Sequence, residues 1–181
     1  MIAILDYGSG NIQSVKNALT ELNVDSIVTN DLIQLKQADK IIIPGVGNFK
    51  QFFNFFNSIY IENLKTILKQ KPSLGICLGM QLFFEESEEA PNVRGLGLIK
   101  GTVKKFTKGK IPQIGWNKVN NDYFYFVNSY YCIPKEGTIT NSEYYIDFCS
   151  IIKKENLTGF QFHPEKSGRK GLEMLKCWLK E

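Results

Sequence analysis

Apolar residues follow two rhythms along this chain. Up to about residue 93, short apolar runs alternate with longer stretches in which apolar positions recur every three or four residues. "IAIL" near the N-terminus reads as a strand and "DYGSGN" as the turn after it. "IQSVKNALTEL" then carries Ile12, Val15, Leu19 and Leu22 on one helical face. "SIVT" and "KIIIPGVGNF" supply two further strands, the second closed by Pro44, Gly45 and Gly47. Between Phe49 and Leu68 the spacing of Phe49, Phe52, Phe53, Phe56, Ile59, Tyr60, Leu64 and Leu68 predicts one helix. "SLGICL" is the next buried strand, and "MQLFFEES" opens another helix. Strands alternating with helices predict a parallel sheet covered on both faces.

Beyond residue 93 the runs become short and β-rich. "GLGLIKGTVKKF", "IPQIGWNKV", "YFYFVNSYYC" and "TGFQFHPE" are separated by Gly, Pro and Asn turns. "GRKGLEMLKCWLK" closes the chain as an amphipathic helix with Leu172, Leu175 and Leu179 on one face. With no repeat, linker or low-complexity tract, residues 1–181 are expected to form a single α/β domain whose second half adds antiparallel strands. The length of 181 residues suits that expectation.

Composition excludes more than it identifies. The chain is 43% hydrophobic and 22% charged, with a net charge of +4. Its lysines are scattered rather than striped with aromatics, which argues against nucleic acid as a partner. No run approaches the ~20 apolar residues of a membrane span, and the N-terminus lacks the basic start of a signal peptide. One histidine and four cysteines without C-x-x-C spacing argue against a Cys/His zinc site. The expectation is a reduced, cytoplasmic chain that uses neither metal nor organic cofactor.

The candidate chemistry lies in "SLGICLGMQLFFEE", residues 73–86. Gly75-Ile76-Cys77-Leu78-Gly79 is the cysteine form of a nucleophile elbow, placed where a strand hands over to a helix. Small residues two positions either side let neighbouring backbone pass close to the strained turn. The start of a helix favours the negative charge of a thiolate. The N–H of Leu78 would then face an oxyanion forming on a carbon attacked by Cys77. The competing reading is a core thiol between two packing glycines, since cysteine is among the most buried residue types.

A catalytic cysteine needs a base, and His163 is the one histidine. It stands at the end of a β-like run in "FQFHPEKS". Pro164 drives the residue before it into an extended conformation, so side chains two apart, His163 and Glu165, share a side. Glu165 can hold one ring nitrogen while the other faces Cys77.

Cys77 in "GICLGMQ", with His163 and Glu165 in "GFQFHPEKS", resembles the class I triad glutamine amidotransferases, cysteine glutaminases that release ammonia for a partner synthase. "DYGSGN", "PGVGNF", "GWN" and the stretch 77–101 narrow the resemblance to the glutaminase subunits that serve histidine biosynthesis. It implies a flavodoxin-like three-layer sandwich, L-glutamine as substrate and a glutamyl thioester. It also implies a HisF-like (β/α)8 cyclase subunit as partner in a heterodimer that makes imidazole glycerol phosphate and AICAR. By the same resemblance Val46 and Gly47 join Leu78 in an oxyanion hole. Gln81, Ser129 and Tyr130 map onto the substrate grip, and Asn11, Trp116 and Lys166 onto the partner interface. The Gly8-Ser9-Gly10 turn fails a dinucleotide fingerprint because Gln13 stands where glycine or alanine is required.

Two positions depart from the family pattern: Gln113 and Asn128 stand where it usually has histidine. Neither touches the triad, and both leave the partner open between the histidine-pathway cyclase and a cyclase-like barrel that amidates a bacterial surface sugar. A stand-alone cysteine hydrolase and a catalytically dead binding subunit are further alternatives. Gln81, "PGVG" and "GWN" weigh against the hydrolase, and the intact triad against the dead subunit.

Overall fold

The computed structural model describes residues 1–8 and 11–181. Ser9 and Gly10 of the first turn lie outside the described residues. In chain order, β1 (Ile2–Leu5), α1 (Ile12–Glu21), β2 (Ser26–Thr29), α2 (Leu32–Gln37) and β3 (Lys40–Ile43) realise the strand–helix alternation. They are followed by α3 (Phe49–Phe55), α4 (Ser58–Leu68), β4 (Ser73–Ile76) and α5 (Leu78–Leu82). The second half holds β5 (Glu86–Ser87), β6 (Gly101–Lys105), β7 (Gln113–Val119), β8 (Asp122–Asn128) and β9 (Tyr130–Pro134). It ends with β10 (Thr138–Glu143), β11 (Asp147–Lys154), β12 (Leu157–Phe160), a 3-10 turn over Pro164–Lys166, and α6 (Gly168–Lys180).

The main sheet has the order β2-β1-β3-β4-β12-β11-β9-β6-β5, with β10 paired to β11. Its first five strands are parallel neighbours. From β12 onward the pairings with β11, β9 and β6 are antiparallel, so the antiparallel additions extend one edge of a doubly wound sheet. β7 and β8 form a separate two-stranded ribbon. The pleat sends alternate residues to opposite faces. Ala3, Leu5, Ile41 and Ile43 enter a core with Leu35, Phe49, Phe52, Leu64 and Met80 from α2 to α5. Ile2, Ile4 and Ile42 enter a second core with Val15 and Leu19 of α1, Phe124 and Phe126 of β8, and Leu175 and Trp178 of α6. The result is the expected three-layer α/β sandwich.

Three elements differ from the expectation. The single helix of residues 49–68 is two helices. Phe56 leaves the helical region (φ −112°, ψ 143°), and the Asn57 side chain accepts from Tyr60 N at 2.8 Å to start α4. An Asn in this place supplies one of the N–H partners that a new helix lacks, and Phe56 then stacks on Tyr60 with centroids 4.0 Å apart. The helix after Cys77 stops after five residues. Phe83 and Phe84 turn into the first core, and β5 pairs with β6. The run "YFYFVNSYYC" divides at Ser129: β8 belongs to the ribbon and β9 to the main sheet. Strand periodicity reports which residues alternate, not which sheet receives them.

No helix among the described residues is long and apolar enough to cross a membrane.

Because Asn57 caps α4 without other help from its side chain, Asn57→Ala is expected to lower stability by about 1 kcal/mol, measured as a reduced urea midpoint at unchanged slope.

Candidate active site

Four chain segments meet at the carboxyl ends of the parallel strands, where open α/β sheets place their ligand crevices. They follow β1, β3, β4 and β12. Between β4 and α5, Cys77 adopts φ 51° and ψ −105°. That region is strained for a residue with a Cβ. The turn persists because its surroundings leave no alternative. A Cβ on Gly75 would lie 2.5 Å from the carbonyl of Gly79, and one on Gly79 would lie 2.0 Å from the carbonyl oxygen of Ile43. The Cys77 N–H donates to the Phe160 carbonyl at 2.6 Å, tying the elbow to β12. Cys77 thus has the backbone geometry expected of a nucleophile elbow, and at 7% exposure it also packs against the second core.

His163 and Glu165 come from the segment after β12. The ring Nδ1 lies 2.7 Å from Glu165 Oε1, with both side chains excluded from solvent. Ser167 Oγ donates to the His163 carbonyl, and His163 N donates to the Tyr125 carbonyl, which fixes the backbone below the ring. Burial by itself pushes the imidazole pKa down. The Cys77 thiolate and then Glu165 outweigh it, so that it is raised to about 10. The His163 imidazole is therefore held in its protonated form at neutral pH.

The remaining cysteines lie away from this couple. Burial raises the pKa of Cys132 well above the ordinary value and that of Cys149 to about 12, which keeps both as thiols. Cys177 is exposed on α6.

A cavity of about 240 Å³ opens beside Cys77. It is smaller than the roughly 300–1,000 Å³ of sites for drug-sized ligands. Gly45, Val46, Gly47 and Leu78 line one side of it, and Gln81, Ser129 and Tyr130 another, so every residue assigned to the oxyanion hole and substrate grip reaches this one cavity. A Cβ on Gly45 would lie 2.5 Å from Leu78 N, so the segment after β3 packs directly on the elbow. Gln81 Nε2 donates to the Tyr130 carbonyl and to Gln161 Oε1, both at 3.2 Å.

The three interface candidates are placed differently. Trp116 is 57% exposed on β7, beside Tyr125, and Lys166 is exposed on the 3-10 turn. Asn11 is buried, and its side-chain amide donates to Glu165 Oε1 at 2.8 Å. Gln113 and Asn128 are buried directly opposite each other on β7 and β8, Asn128 donating to the Tyr130 carbonyl at 3.0 Å.

Two residues of the site escaped the sequence reading. Glu89 is the one carboxylate lining the cavity. Its Oε2 accepts from Phe49 N at 2.9 Å, and burial raises its carboxyl pKa against that bond. No local motif announces it, since it sits in a turn after β5. Gln161 is fully buried, and its Nε2 lies 3.6 Å from Cys77 Sγ. Its signal was present: it precedes His163 by two, as Glu165 follows by two.

Residues 3–181 match the class-I glutamine amidotransferase family. The imidazole glycerol phosphate synthase subunit HisH of Oceanobacillus iheyensis is 45% identical, covering 97% of this chain and 96% of that one. HisH of Methanocaldococcus jannaschii is 44% identical over 99% and 98% of the two chains. HisH of Pyrococcus furiosus is 44% identical over 97% and 96%. A solved structure named as a glutamine amidotransferase superposes with a TM-score of 0.80 at 15% identity, covering 99% of this chain and 97% of that one. At that identity the superposition shows the shared fold.

With one histidine in the chain, its titration is directly readable. The His163 ring signal is expected to titrate near pH 10 in the native protein. In Cys77→Ala the raising influence of the thiolate is gone while burial still lowers, so the midpoint should fall by more than about one unit. Proton NMR of the single imidazole checks both values.

Proposed function

The chain belongs to the class-I glutamine amidotransferases, and from that premise we propose how it works as the glutamine-hydrolysing subunit of imidazole glycerol phosphate synthase in histidine biosynthesis. The observation that carries the reading is the strained Cys77 elbow, paired with the buried His163–Glu165 couple at the mouth of a cavity sized for an amino acid. Relatives named HisH at 40–45% identity favour the histidine-pathway role over the surface-sugar paralogue and the stand-alone hydrolase.

The Cys77 thiolate attacks the side-chain amide carbon of glutamine. Negative charge forms on the amide oxygen, met by the N–H of Leu78 and the backbone N–H groups of Val46 and Gly47. As the C–N bond breaks, the His163 imidazolium protonates the leaving nitrogen and ammonia departs. The neutral imidazole, oriented by Glu165, then takes a proton from water as its oxygen bonds the thioester carbon. Collapse of that adduct breaks the C–S bond, returns the electron pair to Cys77 as thiolate, and leaves glutamate. Glu89 faces the substrate's α-ammonium, since a zwitterionic end requires an anion in a cavity that otherwise offers neutral groups. Ser129 and Tyr130 hold the neighbouring carboxylate end, and Gln81 lies at the elbow side of the same grip.

The ammonia is delivered to a HisF-like (β/α)8 cyclase. The ribbon offers a docking face: Ile114, Trp116 and Tyr123 are each more than half exposed, and Lys166 lies on the 3-10 turn that also carries Glu165. Such a partner places the protein in the cytosol with other biosynthetic enzymes.

Three outcomes test this. Glutamine turnover by the chain alone should be slow and rise by at least about tenfold with the cyclase, because ammonia released without an acceptor is wasted; equal rates would sink the partnership. Cys77→Ala should abolish glutamine-dependent synthesis in the complex and leave ammonia-dependent synthesis intact, measured by product formation from each nitrogen source. Glu89→Gln should raise the KM for glutamine about ten- to a hundredfold with a smaller change in kcat, as expected for a lost charge-assisted contact to the ground state.

A further inference from the structure

Besides the Val127 carbonyl at 3.6 Å, which accepts from the thiol, Cys77 Sγ has a polar neighbour that the triad mechanism does not use. Gln161 lies directly after β12, is fully buried, and places Nε2 3.6 Å from the sulfur. Phe160 binds the Cys77 N–H through its carbonyl, which seats the segment after β12 against the elbow. Gln161 and His163 both come from that segment, and Glu165 reaches the His163 ring from the 3-10 turn.

The orientation of the Gln161 amide is set by its neighbours. The Tyr130 carbonyl can only accept, so Gln81 must present Nε2 to it, and the same nitrogen donates to Gln161 Oε1. Gln161 thus shows its oxygen to Gln81 and its N–H to sulfur. A chain of hydrogen bonds runs from the nucleophile through two carboxamides to the strand that begins with Tyr130.

We propose that Gln161 is a catalytic residue of the glutaminase: its N–H stabilises the Cys77 thiolate, and its oxygen holds Gln81 in the substrate grip. The inference deepens the glutaminase reading and rests on it. A donor on sulfur favours thiolate over thiol and over thioester. It therefore assists the step in which the C–S bond of the hydrated thioester breaks and sulfur leaves with the electron pair, while the proton taken from water remains on His163. The two ends of one side chain also link nucleophile and substrate pocket, so the atoms that need to be in register are joined through a single rigid, buried amide.

The test separates the two ends. Gln161→Glu keeps an oxygen for Gln81 but sets a carboxylate against sulfur; Gln161→Met removes both bonds at similar volume. In a Cys177→Ser background, the exposed thiol is gone and iodoacetamide reads Cys77, with mass spectrometry identifying the alkylated residue. Relative to the parent, Gln161→Glu should move the alkylation pH profile up by more than about one unit and lower the neutral-pH rate about ten- to a hundredfold. Gln161→Met should shift the profile in the same direction by a smaller amount. With the cyclase and glutamine, KM should rise in Gln161→Met, which deprives Gln81 of its acceptor, and stay within a few-fold in Gln161→Glu. Superposable alkylation profiles for folded variants and parent would overturn the proposal, as would equal KM increases in both. Should Gln161→Glu fail to fold, the profile of Gln161→Met decides alone. A parent that alkylates normally but never turns over glutamine with the cyclase would instead overturn the glutaminase reading, while a shifted profile in the variants would still establish the donor on sulfur.

Discussion

The architecture depends on one backbone constraint: Cys77 is held at φ 51° and ψ −105°, a conformation costing on the order of 1–3 kcal/mol for a residue with a side chain. That cost is tolerated only where three main chains press on the turn. The helix after it runs so close to β4 that a Cβ on Gly75 would meet Gly79, and a Cβ on Gly79 would meet Ile43 at the end of β3. The segment after β3 is in turn packed on Leu78 N through Gly45, and β12 binds the Cys77 N–H. Parallel neighbours β3, β4 and β12 are what bring these segments together at one end. The sheet order is the means by which the elbow is strained, and the strain is what turns sulfur out toward the cavity.

Electrostatics then decides what the presented sulfur is. A buried imidazole and a buried thiol would each rather be neutral, as the raised pKa values of Cys132 and Cys149 illustrate for thiols without a partner. His163 escapes that outcome: its neighbours Cys77 and Glu165 outweigh burial and hold the ring protonated, with Glu165 on Nδ1. Glu165 itself is anchored by the Asn11 amide, from the turn after β1. Each of the four parallel strands nearest the crevice therefore contributes through its following segment: β1 through Asn11, β3 through Gly45 to Gly47, β4 through Cys77, and β12 through His163 and Glu165.

The triad was legible in the sequence because its signals are short-range. Glycines at 75 and 79 announce a close approach around residue 77, and Pro164 keeps His163 extended as expected, but Glu165 reaches the ring from a 3-10 turn and not by strand alternation. Gln161 has no reactivity of its own, so only its distance to sulfur reveals a task. Glu89 was illegible for another reason: it reaches the cavity through a short turn after β5 whose path is set by Phe83 and Phe84 entering the core. Asn11 was assigned to the partner interface by the family resemblance alone, and the location of its amide partner 154 residues away is a tertiary fact. The division of residues 49–68 was readable in retrospect from Asn57 followed by Ser58, a strong cap inside an unbroken apolar rhythm.

The sulfur also shows why the ribbon matters to the chemistry. Cys77 Sγ lies 3.6 Å from the Val127 carbonyl on β8 and 3.6 Å from Gln161 Nε2 beside β12. The two neighbours favour opposite states: a carbonyl accepts from a thiol and repels a thiolate, whereas an amide N–H favours the thiolate. β12 pairs within the main sheet, while β8 pairs with β7 in a two-stranded ribbon whose outer side carries Ile114 and Trp116. The Tyr125 carbonyl of the same strand accepts from the backbone N–H of His163. The strand behind the exposed face of the ribbon thus touches both the sulfur and the segment that carries His163.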